Sequence, residues 1–589
     1  MARITFITAY NDFSIGVNVL SSLLEEDGHE ISVIFCKLPT KKKIPWFTTD
    51  AKQYMEFVDT FGEIYCSHPG SNPASEQETA ILLELLGRLQ PDLIGFSLRT
   101  QDTLLAQLII PAIRQKMDVP LLAGGFGPSL NPEVFAPLVD YVFIGEAEGC
   151  IKDLVNKLVA GESVKGFSNL AYLDQGELRR NPLSAPGSMA FKQQSLIKET
   201  YIIENDRLYN YTDRAAIVKT NAYSTFMGRG CIMTCSYCSV GNWGALYEDE
   251  GFRIKKRRNR PVEEVIGELI KAKELGFTFV HFRDEFLTTS REELKRFFRL
   301  YEKEVGLPFW AYLVPKQVLS DPEILDLAVD AGFVDTELGF QSGSDRINRE
   351  IFTRYLSHEQ TLKYAWMLDE RHVNAKYDFI IFNPAETPQD HEAAFSLLQA
   401  LPNKRSYLFM PRLFYYANTP IGDMLAPFNE QSLNADYYYR MALMYLICFA
   451  VPKEEFAQVR INPKLIGSWQ ALKQYYQEYL HNTGYRMPIG THDIPDSITT
   501  HRYKRILQKQ GFSEVAIWGG GSYYQDLKEI FDGVKIRVHV DDPGDGPVGL
   551  TGFDDIHDPV PLFVCRPGKH EVKARIRHEW PHYPGPIIV

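Results

Sequence analysis

From residue 216 to residue 414, short apolar strands alternate with amphipathic helices. Strand-like segments fall at 223–227, 277–282, 309–314, 334–340, 375–382 and 407–413. Helical patterns fill 262–275, 291–304, 322–331, 357–371 and 387–401. Such alternation makes a parallel sheet with helices on its outside. Six β/α units are too few for the closed eightfold form, so a partial (β/α)6 TIM-like barrel is expected over 216–431. Its chemistry should sit at the C-terminal ends of the strands.

The chain is α/β elsewhere too. Within 1–160, strands at 4–7, 31–35, 93–97, 120–123 and 141–144 alternate with helices at 17–25, 104–116 and 150–158. This predicts a doubly wound, Rossmann-like domain, whose ligands sit beyond the carboxyl ends of the strands. Ser97-Leu98, Gly124-Gly125 and Gly145-Glu146 lie at that edge. Residues 161–215 read as a linker containing one hairpin at 170–178, broken after it by Pro182, Pro186 and Gly187. Residues 432–500 read as helical, and 501–589 as a small C-terminal Rossmann-like unit.

A length of 589 residues calls for about three to five domains. An apolar share of 45% and a charged share of 23% exclude a largely disordered chain. A net charge of −12 argues against a dedicated nucleic-acid binder. The run Met441 to Val451 is 11 residues long, against the roughly 20 a membrane span needs. The opening MARITFITAYND reads as a strand and loop, not a signal-peptide core. The expected location is the cytoplasm.

Three of the eight cysteines fall within eight residues, in Gly228-Arg229-Gly230-Cys231-Ile232-Met233-Thr234-Cys235-Ser236-Tyr237-Cys238. This C-x₃-C-x₂-C loop directly follows the first barrel strand. Thiolates hold iron–sulfur clusters, and a cubane normally takes four. Three would leave one iron open to a ligand. The other readings are a zinc site or chance crowding, but no second C-x₂-C pair supplies further zinc ligands.

This spacing on a β/α barrel resembles the radical S-adenosylmethionine (SAM) superfamily. The resemblance implies a 4Fe-4S cluster on Cys231, Cys235 and Cys238. Its open iron binds the methionine moiety of SAM, and the reduced cluster cleaves the sulfonium to a 5′-deoxyadenosyl radical. Other segments match in order. Tyr237 stands where the family has an aromatic beside the adenine. Asp284 and Glu285, in Phe282-Arg283-Asp284-Glu285-Phe286, stand where acids meet the methionine ammonium. Gln341 and Ser342, in Gly339-Phe340-Gln341-Ser342-Gly343, match the ribose-side Gly-x-Glu-Ser-Gly with Gln for Glu. Pro384-Ala385-Glu386-Thr387 matches a Pro-Gly-Glu-Thr with Ala for Gly. Each segment alone is equally read as an ordinary strand-end turn.

The N-terminal segments Ser97-Leu98, Gly124-Gly125 and Val142 through Glu148 resemble the cobalamin-binding domain fused to one large class of these enzymes. Many such domains ligate cobalt through the His of Asp-x-His-x-x-Gly. Here Asp27-Gly28-His29 lacks the Gly, and the loop Tyr10 to Ser14 has no His. The resemblance therefore implies cobalamin without a protein histidine ligand, and His29 is expected to be an exposed polar residue. The implied activity is methylation of an unactivated carbon of a small-molecule or natural-product substrate, with a reductant such as flavodoxin or ferredoxin. The alternatives are a non-methylating cyclase or rearrangement enzyme, and a non-catalytic iron–sulfur or cobalamin-binding protein.

Two further features stay open. Arg253 to Arg260 carries six basic residues in eight. The simple expectation is a solvated loop, and the sharper one a contact to a carboxylate or phosphate of a cofactor or substrate. Gly519-x-Gly521, with Asp541 downstream, echoes a dinucleotide fingerprint, but Tyr524 occupies the third-Gly position. A structural or capping role is the competing expectation.

Overall fold

A computed structural model describes residues 1–9, 14–37, 41–47, 55–67, 73–187, 199–210, 222–252, 256–416, 419–428, 434–483, 512–518, 534–540, 562–564 and 587–588. Two nine-stranded sheets dominate it. In the first, Glu30–Cys36, Arg3–Ala9, Leu93–Ser97, Leu121–Gly124 and Tyr141–Phe143 lie side by side in that order, all parallel. These strands are apolar on both faces because helices cover both. Ile15–Glu26 and Ile151–Val159 pack over Ile4, Phe6 and Val33. Glu76–Leu89 and Thr103–Lys116 pack over Ile7, Ile34 and Ile94. Chain order reverses between Arg3–Ala9 and Leu93–Ser97, and a ligand crevice opens at such a switch point.

Residues 161–215, expected as a linker, belong to this sheet over their described part. Leu170–Asp174 and Glu177–Arg180 form the expected hairpin, with Gln175 and Gly176 both at positive φ, and extend one edge. Glu199–Glu204 returns to pair in parallel with Glu30–Cys36 at the other edge. His29 is buried rather than exposed, with Nε2 3.5 Å from Asp27 Oδ2. It precedes the first residue of its strand, at the sheet edge opposite the crevice.

The second sheet runs Tyr223–Thr225, Val280–Phe282, Phe309–Trp310, Phe333–Gln341, Asn374–Phe379 and Ser406–Pro411, each parallel to the next. This is the expected six-stranded partial barrel, with shorter strands than the apolar runs suggest. Its outer face packs on Val262–Glu274, Arg291–Leu300, Glu323–Ala331, His358–Glu370 and Pro388–Ala400. An antiparallel ribbon from the N-terminal part of the chain continues the sheet. Met55–Val58 pairs with Ser406–Pro411, and Ile64–Ser67 and Lys41–Lys43 follow. Arg412 pairs with the fully buried Glu56 at 2.7 Å and fixes this join.

The expected helical region holds Ala435–Ala450, Lys453–Ile461, Pro463–Ile466 and Trp469–Thr483. The apolar run 441–451 is core, not membrane. Tyr438 donates to Asn383 O, Tyr439 to Gly62 O and Tyr476 to Thr60 O, tying barrel, helices and ribbon together. No helix among the described residues is long and apolar enough to cross a membrane. In the C-terminal unit, Lys535–Val540, Glu514–Trp518, Leu562–Val564 and Ile587–Ile588 form a parallel sheet. Gly519, Gly521, Tyr524 and Asp541, which carry the dinucleotide echo, lie outside the described residues, as do Tyr10 to Phe13.

Candidate active site

The first barrel strand ends at Thr225, and Gly228–Arg229 then pairs antiparallel with Arg258–Asn259. Gly230 follows at φ +88°, where a side chain would collide with Lys256 O. This tight approach delivers the cysteine loop to the barrel mouth. Cys231 is half-buried, Cys235 is buried, and Cys238 is half-buried at the start of Ser239–Glu248.

Burial raises the Cys231 and Cys238 pKa values, and the neighbouring thiols add to it: Cys235 and Cys238 act on Cys231, and Cys235 on Cys238. Burial is the larger cause, and it pushes Cys231 up to about 11. Opposing this, the Met233 N–H donates to Cys231 Sγ at 3.4 Å, and the N–H groups of Val240 and Gly241 bond Cys238. Arg354 Nη1 lies 3.7 Å from Cys235 Sγ. Among the described residues no three His, Cys, Asp or Glu side chains are placed around a single ion. These donors suit a shared, negatively charged sulfur centre on three cysteines.

The loop is pinned from outside. Ser236 donates from Oγ to Ile351 O, and its N–H bonds Phe352 O. Thr353 Oγ1 donates to Thr234 O. Tyr237 sets its ring edge-on to Phe352, 5.0 Å between centroids, and burial holds its hydroxyl well above the usual range. Residues 351–354 carry no recognisable motif and were not anticipated. Only Arg354, a cation among apolar neighbours in the sequence, could have signalled them.

The two acids after the second barrel strand behave differently. Asp284 has no exposed side-chain surface. Its oxygens accept from Met227 N and Gly228 N at 2.8 Å each, and it pairs with Arg257. Asp284 is thus an internal tie that shapes the cysteine loop, not an open ligand. Glu285 is one-third exposed and lines a cavity, with Arg257 at 4.0 Å. Burial raises its carboxyl pKa.

At the fourth strand's end, Gln341 turns through φ +65° and folds its amide over Gly339. Ser342 donates to Glu386 at 3.3 Å, joining the fourth- and fifth-strand segments. Burial pushes Glu386 up to about 8.

The remaining expected residues meet the loop across one cavity of about 580 Å³. Ser97, Leu98, Gly124, Gly125, Gly145 and Glu146 line one side, and Cys231, Met233, Thr234 and Glu285 the other. Gly125 sits at φ +105°, and an added Cβ would lie 2.5 Å from Leu98 O. At Gly124 an added Cβ would make only ordinary van der Waals contact, with Phe143 at 3.9 Å. Phe126 and Trp243 pack across the cavity at 4.6 Å.

The Glu146 carboxylate is taken by Arg258 and Arg229, and its N–H donates to Tyr247 Oη at 2.7 Å. Glu148 pairs with Arg229, which lowers its pKa against the opposing effect of burial. Glu146 therefore fastens the cysteine helix to the first sheet. The basic run also departs from expectation. Arg257, Arg258 and Arg260 pair with Asp284, Glu146 and Glu268 of the chain itself and are not a solvated loop, while Lys256 and Arg258 also line the cavity. Residues 253–255 of that run lie outside the described residues.

Residues 225–398 match the model of the radical SAM superfamily. The chain is 30% identical over 148 residues to cytidylyl-2-hydroxyethylphosphonate methyltransferase of Streptomyces wedmorensis, covering 24% of this chain and 25% of that protein. It is 25% identical over 332 residues to anaerobic magnesium-protoporphyrin IX monomethyl ester cyclase of Cereibacter sphaeroides, covering 54% and 50%. The chain thus spans half or less of these curated relatives' lengths. Its fold matches that of the radical SAM methyltransferase TsrM from Kitasatospora setae, solved with cobalamin and a [4Fe-4S] cluster bound. The TM-score is 0.54 at 18% identity, over 72% of this chain and 78% of that one. Barrel and cysteine loop agree with these likenesses, and residues 225–398 carry a radical SAM domain.

Proposed function

We propose that the chain is a cobalamin-dependent radical SAM enzyme that methylates an unactivated carbon of a small molecule, with an external reductant such as flavodoxin or ferredoxin. The observation that carries this reading is the single cavity shared by the glycine-rich strand ends and the Cys231 loop. When bound, the cluster and SAM supply a carbon-centred radical, and cobalamin supplies the methyl group.

The chain's own residues hold and shield these groups. Cys231, Cys235 and Cys238 would ligate the cluster, with Arg354 offsetting its charge. Glu285 faces the cavity and would accept the methionine ammonium, and Tyr237 stands where the resemblance implies the adenine. Ser342 and Glu386 offer polar atoms where the resemblance implies the ribose. Ser97, Leu98, Gly124, Gly125 and Gly145 would bring backbone against cobalamin. No protein acid or base is needed for hydrogen abstraction, and none is assigned.

Anaerobic incubation of the reconstituted protein with SAM, reductant and candidate metabolites tests the reading. Both 5′-deoxyadenosine and S-adenosylhomocysteine should form. The first without the second would assign a cyclase or rearrangement enzyme, and neither would leave a non-catalytic binding protein.

Cobalamin should bind without a histidine ligand. His29 sits at the opposite edge of the sheet, beside Asp27. Hydroxocobalamin affinity should therefore be unchanged in His29→Ala. It should fall at least tenfold in Gly125→Ala, because a Cβ at φ +105° either clashes with Leu98 O or displaces the turn. Electron paramagnetic resonance of the reduced cobalamin-loaded protein should lack nitrogen splitting from a lower ligand. A splitting that vanished in His29→Ala would refute this assignment.

A further inference from the structure

Along the barrel strands, Val280, Phe309, Leu338, Ala375 and Tyr377 belong to the outer apolar core. The positions between them face the barrel interior. Barrels of this kind fill that space with branched apolar side chains. Here the inward positions include His281, Tyr312, Asp335, Glu337, Lys376 and Asp378 beside the apolar Trp310, so the interior is partly polar.

Carboxyl groups outnumber ammonium groups in this interior, and the Arg354 guanidinium also acts on Asp378. Lys376 is the single ammonium among three carboxyl groups. It pairs with Glu337, lies 3.8 Å from Asp378 Oδ1, and is felt by Asp335. Tyr312 and Asp378 both hydrogen-bond Glu337, whose pKa is lowered. Burial raises the other two acids, Asp335 to about 8. The side chains are not sealed in: Glu337 is 15% exposed, Asp378 12% and Lys376 20%.

Independently of the charges, Oδ1 of Asp335 and Oδ1 of Asp378 are buried without a hydrogen-bond partner. The residues are 4% and 9% exposed. A buried carboxyl oxygen left this way asks for a donor. The site lies next to the cysteine loop. Asp378 is the register partner of Gly339, whose carbonyl accepts from Arg354 Nη2 at 2.9 Å, while the other end of that guanidinium meets Cys235.

We propose that the barrel interior binds the ammonium group of an amine-bearing substrate between Asp335, Glu337 and Asp378, holding its carbon skeleton toward the cysteine loop. This rests on the reading of the chain as a radical enzyme acting on a small molecule. An ammonium brings three donors for the open oxygens, and its charge favours the ionised form of the acids whose pKa burial raises. A carboxylate or phosphate would bring no donor, and would find Lys376 already committed to Glu337. A hydroxyl would donate without supplying the charge.

The full-length protein, loaded with cluster and SAM, tests this anaerobically with three probes of equal length: n-butylamine, 1-butanol and butyrate. Ligand-observed saturation-transfer NMR gives their affinities. Butylamine should bind at least tenfold more tightly than either other probe, and the Asp335→Asn/Asp378→Asn double variant should lose most of that preference. Equal binding of butylamine and 1-butanol, or tighter binding of butyrate, overturns the proposal whether or not the variant folds. So does an unchanged preference in a folded variant. A parallel loss of SAM affinity also overturns it, because the cation served would then be the sulfonium of SAM. Formation of 5′-deoxyadenosine on the same samples reports separately on the underlying enzyme reading.

Discussion

Cys235→Ala, reconstituted anaerobically with iron and sulfide, is expected to carry almost no cluster, against about four irons per chain in the unaltered protein. Cys231→Ala and Cys238→Ala should behave alike. SAM cleavage should fall to the background of a cluster-free sample. The fold should survive, because the loop is pinned by Ser236, Thr353 and Asp284 rather than by its sulfurs. Iron and sulfide analysis with circular dichroism on the same preparation checks both halves. Stoichiometric zinc with no iron in the unaltered protein would remove the cluster from this account.

Asp284→Asn should give the second large effect, and it should be one of stability. The carboxylate is fully enclosed, and its loss leaves Arg257 without its main partner at the base of the cysteine loop. Breaking a buried pair from one side costs about 3–5 kcal/mol. The denaturant midpoint should drop accordingly, and cluster assembly should fail with it. Glu285→Gln should do the opposite. Its side chain is one-third exposed, so stability should hold to within about 1 kcal/mol. SAM binding should weaken roughly 10–100-fold through loss of a charge-assisted hydrogen bond. Equal losses of stability in the two variants would erase the distinction drawn between these acids.

The barrel was legible in the sequence because its strands are apolar runs spaced by amphipathic helices, and a period change marks each boundary. The switch-point sheet was legible for the same reason. What escaped were pairings between distant segments. Nothing local in Glu199–Glu204 says that it lies beside Glu30–Cys36, or in Met55–Val58 that it lies beside Ser406–Pro411. The helix Glu76–Leu89 was missed despite a signature: Ser75 and Glu78 form a reciprocal capping box.

At the site, cysteine spacing identified the loop, but spacing cannot say which of two adjacent acids points inward. Asp284 and Glu285 needed the position of Arg257 to be told apart. Likewise the sequence of the basic run 253–260 leaves a solvated loop and a ligand contact open, and only the fold brings Arg257, Arg258 and Arg260 to Asp284, Glu146 and Glu268. Arg354 and Tyr247 belong to no motif, and their roles come wholly from three-dimensional neighbours.

The two crossing ribbons bear on any attempt to dissect the chain. A fragment beginning at residue 216 would keep all six barrel strands but leave Ser406–Pro411 with an unpaired edge and Arg412 without Glu56. A fragment ending at residue 160 would leave Glu30–Cys36 as an open apolar edge, since Glu199–Glu204 pairs with it. Exposed edges of that kind recruit other chains. The barrel borrows a margin from the N-terminal half, and that half needs residues 199–204, so fragments 1–160 and 216–589 should aggregate, whereas co-expressed fragments 1–215 and 216–589 should recover solubility together.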